Sequence, residues 1–113
     1  MFKGDATMYT HTRSVTEKVF EVWRSPGRFS KNPDLIQLPS GRLMLVYSDT
    51  DAHWAQKSEI LTLVASDDLG KTWFKFRELA KAVQPQDDRL VTPRLSRLKD
   101  GRLVVLCDHN DFG

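Results

Sequence analysis

The sequence predicts an all-β protein built of four-stranded antiparallel blades, a β-propeller that this chain carries only in part. Three observations lead there. Short apolar runs, several of them with period two, alternate with clusters of Gly, Pro, Asp and Ser, the pattern of strands joined by tight turns. Two stretches are copies: Pro33, Leu35, Leu38, Gly41, Arg42 and Leu43 recur as Pro93, Leu95, Leu98, Gly101, Arg102 and Leu103, each 60 residues on, and Asp51 and Asp111 keep the same offset. Between the copies, Ser66-Asp67-Asp68-Leu69-Gly70-Lys71-Thr72-Trp73 separates two apolar runs as a hairpin turn. A period of this size filled with short strands means a repeat architecture, and four strands per period means a propeller blade.

Taken in order, residues 1–14 are a polar lead-in without period. Val19, Phe20, Val22 and Trp23 make 16–23 a strand, broken by Ser25-Pro26-Gly27, and 28–32 is a connector. Strands at 33–38 and 42–48 flank the turn Pro39-Ser40-Gly41, and a polar loop with His53 and Trp54 leads to a strand at 58–65. The turn at 66–73 follows. There Gly70 can take positive φ at little cost, while Ser66, Asp68 and Thr72 carry short oxygens that bond nearby N–H groups. Trp73 opens the return strand at 72–77 with a large apolar side chain. Glu78, Leu79, Ala80, Lys81 and Ala82 are helix formers, which predicts a helical turn over 76–83. Residues 84–89 form a loop, and strands at 92–98 and 102–108 flank Lys99-Asp100-Gly101.

The partition is therefore a lead-in at 1–14 and a partial propeller at 15–113. Within it lie one full blade at 33–78, with its turn at 66–73, and the first hairpin of the next blade at 92–108. A repeat cannot bury its faces alone. The expectation is either the N-terminal piece of a larger propeller or self-association through open blade edges.

Composition excludes several classes. At 113 residues the chain has the length of one small domain, with 40% apolar and 28% charged residues and a net charge of +2 of mixed sign, so no nucleic-acid or membrane partner is expected. Cys107 is the single cysteine and reads as small core filler. The N-terminus has no apolar stretch of signal-peptide kind, which places the protein in the cytoplasm if that terminus is native.

The pattern Ser66-x-Asp68-x-Gly70-x-Thr72-Trp73 resembles the Asp-box of sialidases and other Asp-box (BNR) repeat propellers, with each fixed position present. An ordinary Asx-type hairpin turn is the plainer reading of the same residues. Asp49-Thr50-Asp51-Ala52-His53 and Asp87-Asp88-Arg89 also resemble elements flanking the first Asp-box of bacterial sialidase-like proteins. The resemblance spans roughly residues 20–111 and implies a six-bladed sialidase-type fold, with the Asp-box a structural device that does no chemistry.

Strand parity indicates where a ligand would sit. In an up-and-down blade the start of the first strand, the loop between the second and third, and the exit of the fourth share one end. That end gathers Arg28, Lys31, Asp49, Asp51, His53, Trp54, Asp87, Asp88, Arg89, Asp108, His109 and Asp111. Turn loops are polar in any sheet protein because they are wet, so this asymmetry alone does not make a site. As a site it suits an anionic sugar: Arg28, Lys31 and Arg89 to clamp a carboxylate, Trp54 to stack on the ring, and His53, Asp87, Asp88 and His109 as polar partners. Sialidases open their first blade with an arginine two residues before a proline; Lys31 stands at that position, before Pro33. The resemblance makes Asp51 the acid/base candidate with Asp49 beside it, and places the family's remaining arginines, tyrosine nucleophile and glutamate in later blades. The expected function is a fragment of a sialidase-like glycoside hydrolase acting on a terminal anionic sugar. The alternative is a non-catalytic carbohydrate-binding or protein-interaction propeller. No cofactor is expected. Asp51, His53 and His109 lack the close spacing of metal ligands.

Overall fold

The computed structural model describes residues 20–87 and 89–110, the last two as strand backbone only. The described residues form six antiparallel strands and no helix: β1 (Phe29–Gln37), β2 (Leu43–Thr50), β3 (Ser58–Ser66), β4 (Phe74–Val83), β5 (Arg89–Arg97) and β6 (Leu103–Asn110). β1 to β4 pair in chain order as one sheet and β5 with β6 as a second. β5 lies across the larger sheet, mostly over β1 and β2.

The sequence repeat is also a backbone repeat. In β1–β2 the register shifts between Lys31 and Asp34; in β5–β6 it shifts between Val91 and Arg94. Inside each bulge one residue takes positive φ, Asn32 at 55° and Thr92 at 52°. The residue after it is Pro33 or Pro93, which has no N–H to give and fits where the ladder is interrupted. The hairpin turns match as well. Leu38 donates to the Arg42 carbonyl at 2.8 Å and Gly41 to that of Leu38 at 2.8 Å; Leu98 and Gly101 repeat this at 2.8 and 3.0 Å. Gly41 and Gly101 sit at φ 94° and 90°, a region closed to most side chains.

Alternation decides the core. On one face of the larger sheet Met44, Val46, Leu63 and Ala65 are buried, with Ile36, Leu38 and Leu79 packed against them. Leu95, Leu103 and Val105 of the smaller sheet complete the cluster. Two carboxylates of the larger sheet also hold β5 by its backbone: the Leu95 N–H donates to Asp34 Oδ2 at 2.7 Å and the Leu90 N–H to Glu59 Oε1 at 2.9 Å.

The 66–73 turn closes on its own side chains. Ser66 Oγ accepts the Gly70 N–H at 2.8 Å and donates to Asp68 Oδ1 at 2.8 Å. That oxygen also accepts the Thr72 N–H at 2.8 Å, while the Thr72 hydroxyl donates to Asp68 Oδ2. Trp73 Nε1 donates to the Gly70 carbonyl at 3.0 Å. Leu69 and Gly70 both have positive φ, and a Cβ on Gly70 would meet Leu43 Cδ1 at 3.5 Å. Space would be tolerable; the φ of 90° is what asks for glycine.

Three expectations are corrected. The helical turn over 76–83 is strand: Val83, Ala82, Lys81 and Ala80 pair with Ser58, Glu59, Ile60 and Leu61. The open edge of β3 supplies hydrogen-bond partners that outweigh a weak local preference for helix. The strand expected at 16–23 lies largely outside the described residues, as does the lead-in at 1–14, and its described end, 20–23, is irregular. The connector expected at 28–32 is mostly strand, since β1 begins at Phe29. Cys107 is half-buried, and burial, then the Asp108 and Glu59 charges, push its thiol up from the ordinary value, away from a reactive thiolate.

The turn carries a pH signature. The Thr72 hydroxyl and N–H, then Ser66, draw the Asp68 carboxyl down from 3.8 to about 2. A depressed folded value stabilises above the ordinary carboxylate range, and that contribution fades as pH falls from near 3.8 towards about 2. Asp68→Asn is therefore expected to lower Tm at neutral pH, and the gap to wild type is expected to close as pH drops through that window. Thermal unfolding followed by circular dichroism across the acid range checks this; a gap that stays constant would refute the hydrogen-bond account.

Candidate functional site

The start of β1, the β2–β3 loop, the start of β5 and the end of β6 meet at one end of the molecule around a cleft of about 350 Å³. Its lining is Lys31, Asn32, His53, Trp54, Val91, Thr92 and Asp108. Both positive-φ bulge residues, Asn32 and Thr92, are on this lining. For β-branched Thr92 that conformation is an outlier. Its hydroxyl donates to Asp108 Oδ2 at 2.8 Å, joining the two strands across the bulge.

Asp51 shapes the β2–β3 loop. Its carboxylate accepts the N–H groups of Gln56, Lys57 and Ser58 at 3.0–3.2 Å. Ala55 is fully buried at the base of the loop, and its carbonyl accepts from Arg89. With the loop pinned there, His53 and Trp54 project outwards, Trp54 remaining 55% exposed. The two rings meet edge to face at 5.9 Å.

Two cations lie close to the indole. Lys31 Nζ lies 5.1 Å from the Trp54 ring centroid and Arg89 Cζ 6.0 Å from it, both within cation–π reach. Lys31 also donates to the His53 carbonyl at 2.9 Å. Behind it, Glu59 Oε2 is 3.6 Å from Lys31 Nζ. Glu59 is wholly buried; its Oε1 takes the Leu90 N–H, while Oε2 has no hydrogen-bond partner. A buried carboxylate is costly without a counter-charge, and Lys31 provides one.

The residues anticipated from sequence thus separate. Lys31, His53, Trp54 and Arg89 come together at the cleft. Asp49 does not: it points to the other face of the larger sheet, where Arg28 donates to it and Ser25 Oγ donates at 2.7 Å. Trp23 Nε1 and Ser25 Oγ reach Tyr47 OH at 2.9 and 2.8 Å, so this network fastens the 20–28 segment to the sheet. Asp87 closes the β4–β5 turn, its Oδ2 accepting the Val83 N–H at 2.8 Å. Asp88 and Asp111 lie outside the described residues, as does the side chain of His109.

Asp51 has a geometry unlike that of a proton donor. The N–H groups of Ser58 and Lys57 hold its carboxyl down from 3.8 to about 2. At neutral pH it is ionised with its oxygens committed to the loop, whereas a general acid needs its proton near the working pH. Asp108 is the carboxylate that lines the cleft.

Glu59 was missed. The signal was available: it is two residues before Leu61 and four before Leu63, so strand parity puts a carboxylate on the inward face. Among the described residues no group of His, Cys, Asp and Glu is arranged to hold a metal ion. Comparison with protein-family models, with curated proteins and with solved structures returned no match.

The Lys31–Glu59 pair sets a test. Lys31→Met strands a buried carboxylate and is expected to cost about 3 kcal/mol of stability. Glu59→Gln keeps an oxygen for the Leu90 N–H while removing the charge, so combining the two is expected to recover more than half of that loss. Urea unfolding of the double-mutant cycle measures it, and strictly additive losses would show that the pair is not coupled.

Proposed function

We propose that this chain is part of a sialidase-type β-propeller whose cleft binds a terminal acidic sugar, without turnover by the chain as it stands. One observation carries the reading: Trp54 stands exposed at the rim of the cleft with the Lys31 ammonium and the Arg89 guanidinium both within about 6 Å of its ring. An exposed indole offers an apolar plate to a sugar ring, and two cations beside it suit a carboxylate on that ring. His53, Thr92 and Asp108 add donors and acceptors for hydroxyl groups.

The propeller reading draws support from the repeated hairpin, from the packing of β5–β6 across the neighbouring sheet, and from the 66–73 turn at the end opposite the cleft. That arrangement is the one an Asp-box blade would have. Binding is preferred over hydrolysis because Asp51 and Asp49, the acid/base candidates, are both engaged elsewhere. The hydrolase reading keeps one favourable observation, the Asp108 carboxylate on the cleft wall.

The test is a glycan array with acidic and neutral termini, paired with fluorogenic sialosides and other glycosides for turnover. Acid-terminated glycans are expected to bind selectively, and Trp54→Ala and Lys31→Ala are each expected to weaken binding by about tenfold or more. Binding that ignores the acidic group, or that survives Trp54→Ala, would overturn the assignment. Turnover lost in Asp108→Asn would move it to the hydrolase.

A further inference from the structure

The two halves of the repeat share a backbone and differ in what covers them. In β5–β6, Leu95 pairs with Val105, and the face they form with Pro93 packs on the larger sheet, leaving Pro93 and Leu95 buried. In β1–β2 the equivalent face carries Pro33, Leu35 and Leu45, with Leu35 and Leu45 paired in the same register. There Pro33 is exposed and Leu35 is 54% exposed. The receiving side shows the reverse. Met44 and Val46 are buried beneath β5–β6, whereas Leu106, the equivalent of Val46 on β6, is 63% exposed. The molecule therefore contains one interface made once internally, with each of its two surfaces presented again elsewhere, the Leu106 side exposed and the Leu35 side covered only in part, by the 20–23 segment beside Pro33 and Leu45.

We infer that this chain pairs head to tail with a second copy, the Pro33–Leu35–Leu45 face of one seated on the Val104–Leu106 face of the other. The internal packing of β5–β6 on the larger sheet is the template. An apolar cleft of about 310 Å³ runs beside the first surface, lined in part by Pro33, Leu45, Phe20, Val22 and Trp23, and gives an incoming strand a place to seat. Phe20 on its wall is 69% exposed. Such a contact is heterologous: each copy that uses one surface leaves its other free, so association grows with concentration into a ring or a filament.

The copy of the interface is incomplete in one respect. Internally, Asp34 accepts the Leu95 N–H; its equivalent on the receiving side is Arg94, which has no oxygen on its side chain to offer. The receiving sheet is also two strands wide where the internal one has four. Pairing is therefore expected at roughly micromolar concentrations, well short of the tight range.

Sedimentation and light scattering of the full chain from about 5 to 200 µM test this, with the mass expected to rise above that of one copy. Leu35→Asp and Leu106→Asp alter exposed positions on the two different surfaces. Each alone is expected to stay monomeric, with an unchanged circular dichroism spectrum. Mixing them is expected to restore a one-to-one dimer that grows no further, because one intact surface of each kind remains. Leu35→Ser and Leu106→Ser repeat the test if either aspartate disturbs the fold. A monomeric wild type overturns the inference, as does association that survives in both variants or a mixture that fails to pair. The sugar-binding reading is untouched by any of these outcomes.

Discussion

Two amide-to-carboxylate hydrogen bonds, from the Leu95 N–H to Asp34 and from the Leu90 N–H to Glu59, tie the two sheets of this protein together. Hydrophobic contact between Met44, Val46, Leu63 and Leu95 supplies area but little direction. A hydrogen bond to a backbone amide is directional, and two of them placed five residues apart on one strand leave it little freedom to slide. The cleft depends on that register. Val91 and Thr92 reach the lining because Leu90 is held beside them, and Lys31 is poised at Trp54 because the carboxylate that holds Leu90 also requires a cation. One buried glutamate thus serves packing and electrostatics together.

The division of labour among the aspartates follows from the same economy of backbone partners. Loops joining strands leave N–H groups without ladder partners, and a short carboxylate close in sequence satisfies them at little entropic cost. Asp51, Asp68 and Asp87 all do this, at three different turns. The side chains that line or border the cleft are longer ones, Lys31, Arg89 and the ring of Trp54, which reach beyond the backbone that carries them.

What was legible in the sequence was whatever is encoded by spacing. The constant offset between Pro33-x-Leu35 and Pro93-x-Leu95 shows in the structure as matching bulges and turns, down to the positive φ of Asn32 and Thr92. Strand parity correctly brought Lys31, His53 and Trp54 to one end. What was not legible depended on three-dimensional competition. Residues 78–82 favour helix in isolation and form strand because β3 offers a ladder edge. Asp49 and Arg28 were counted with the loops near the cleft, yet alternation turns Asp49 to the other face, where Arg28 follows it. Asp51 looked chemically available because a sequence does not show which N–H groups lie unpaired around it. Glu59 escaped notice because a charged residue at the start of a strand reads as solvated until its parity with Leu61 is taken seriously.

The strand order itself has a kinetic side. Within each sheet, every strand pairs along its ladder with its neighbour in the chain. Each pairing closes a short loop, so hairpins form with small losses of chain entropy and without waiting for distant segments. Docking the β5–β6 hairpin on the finished sheet is the step that joins residues far apart in sequence, with Leu95 meeting Asp34 across 61 positions. A two-stranded hairpin has little stability by itself, so β5–β6 depends on that docking for its own order. Closing that long-range contact carries the larger loop-closure entropy, and the two carboxylate–amide hydrogen bonds are among the interactions that offset it.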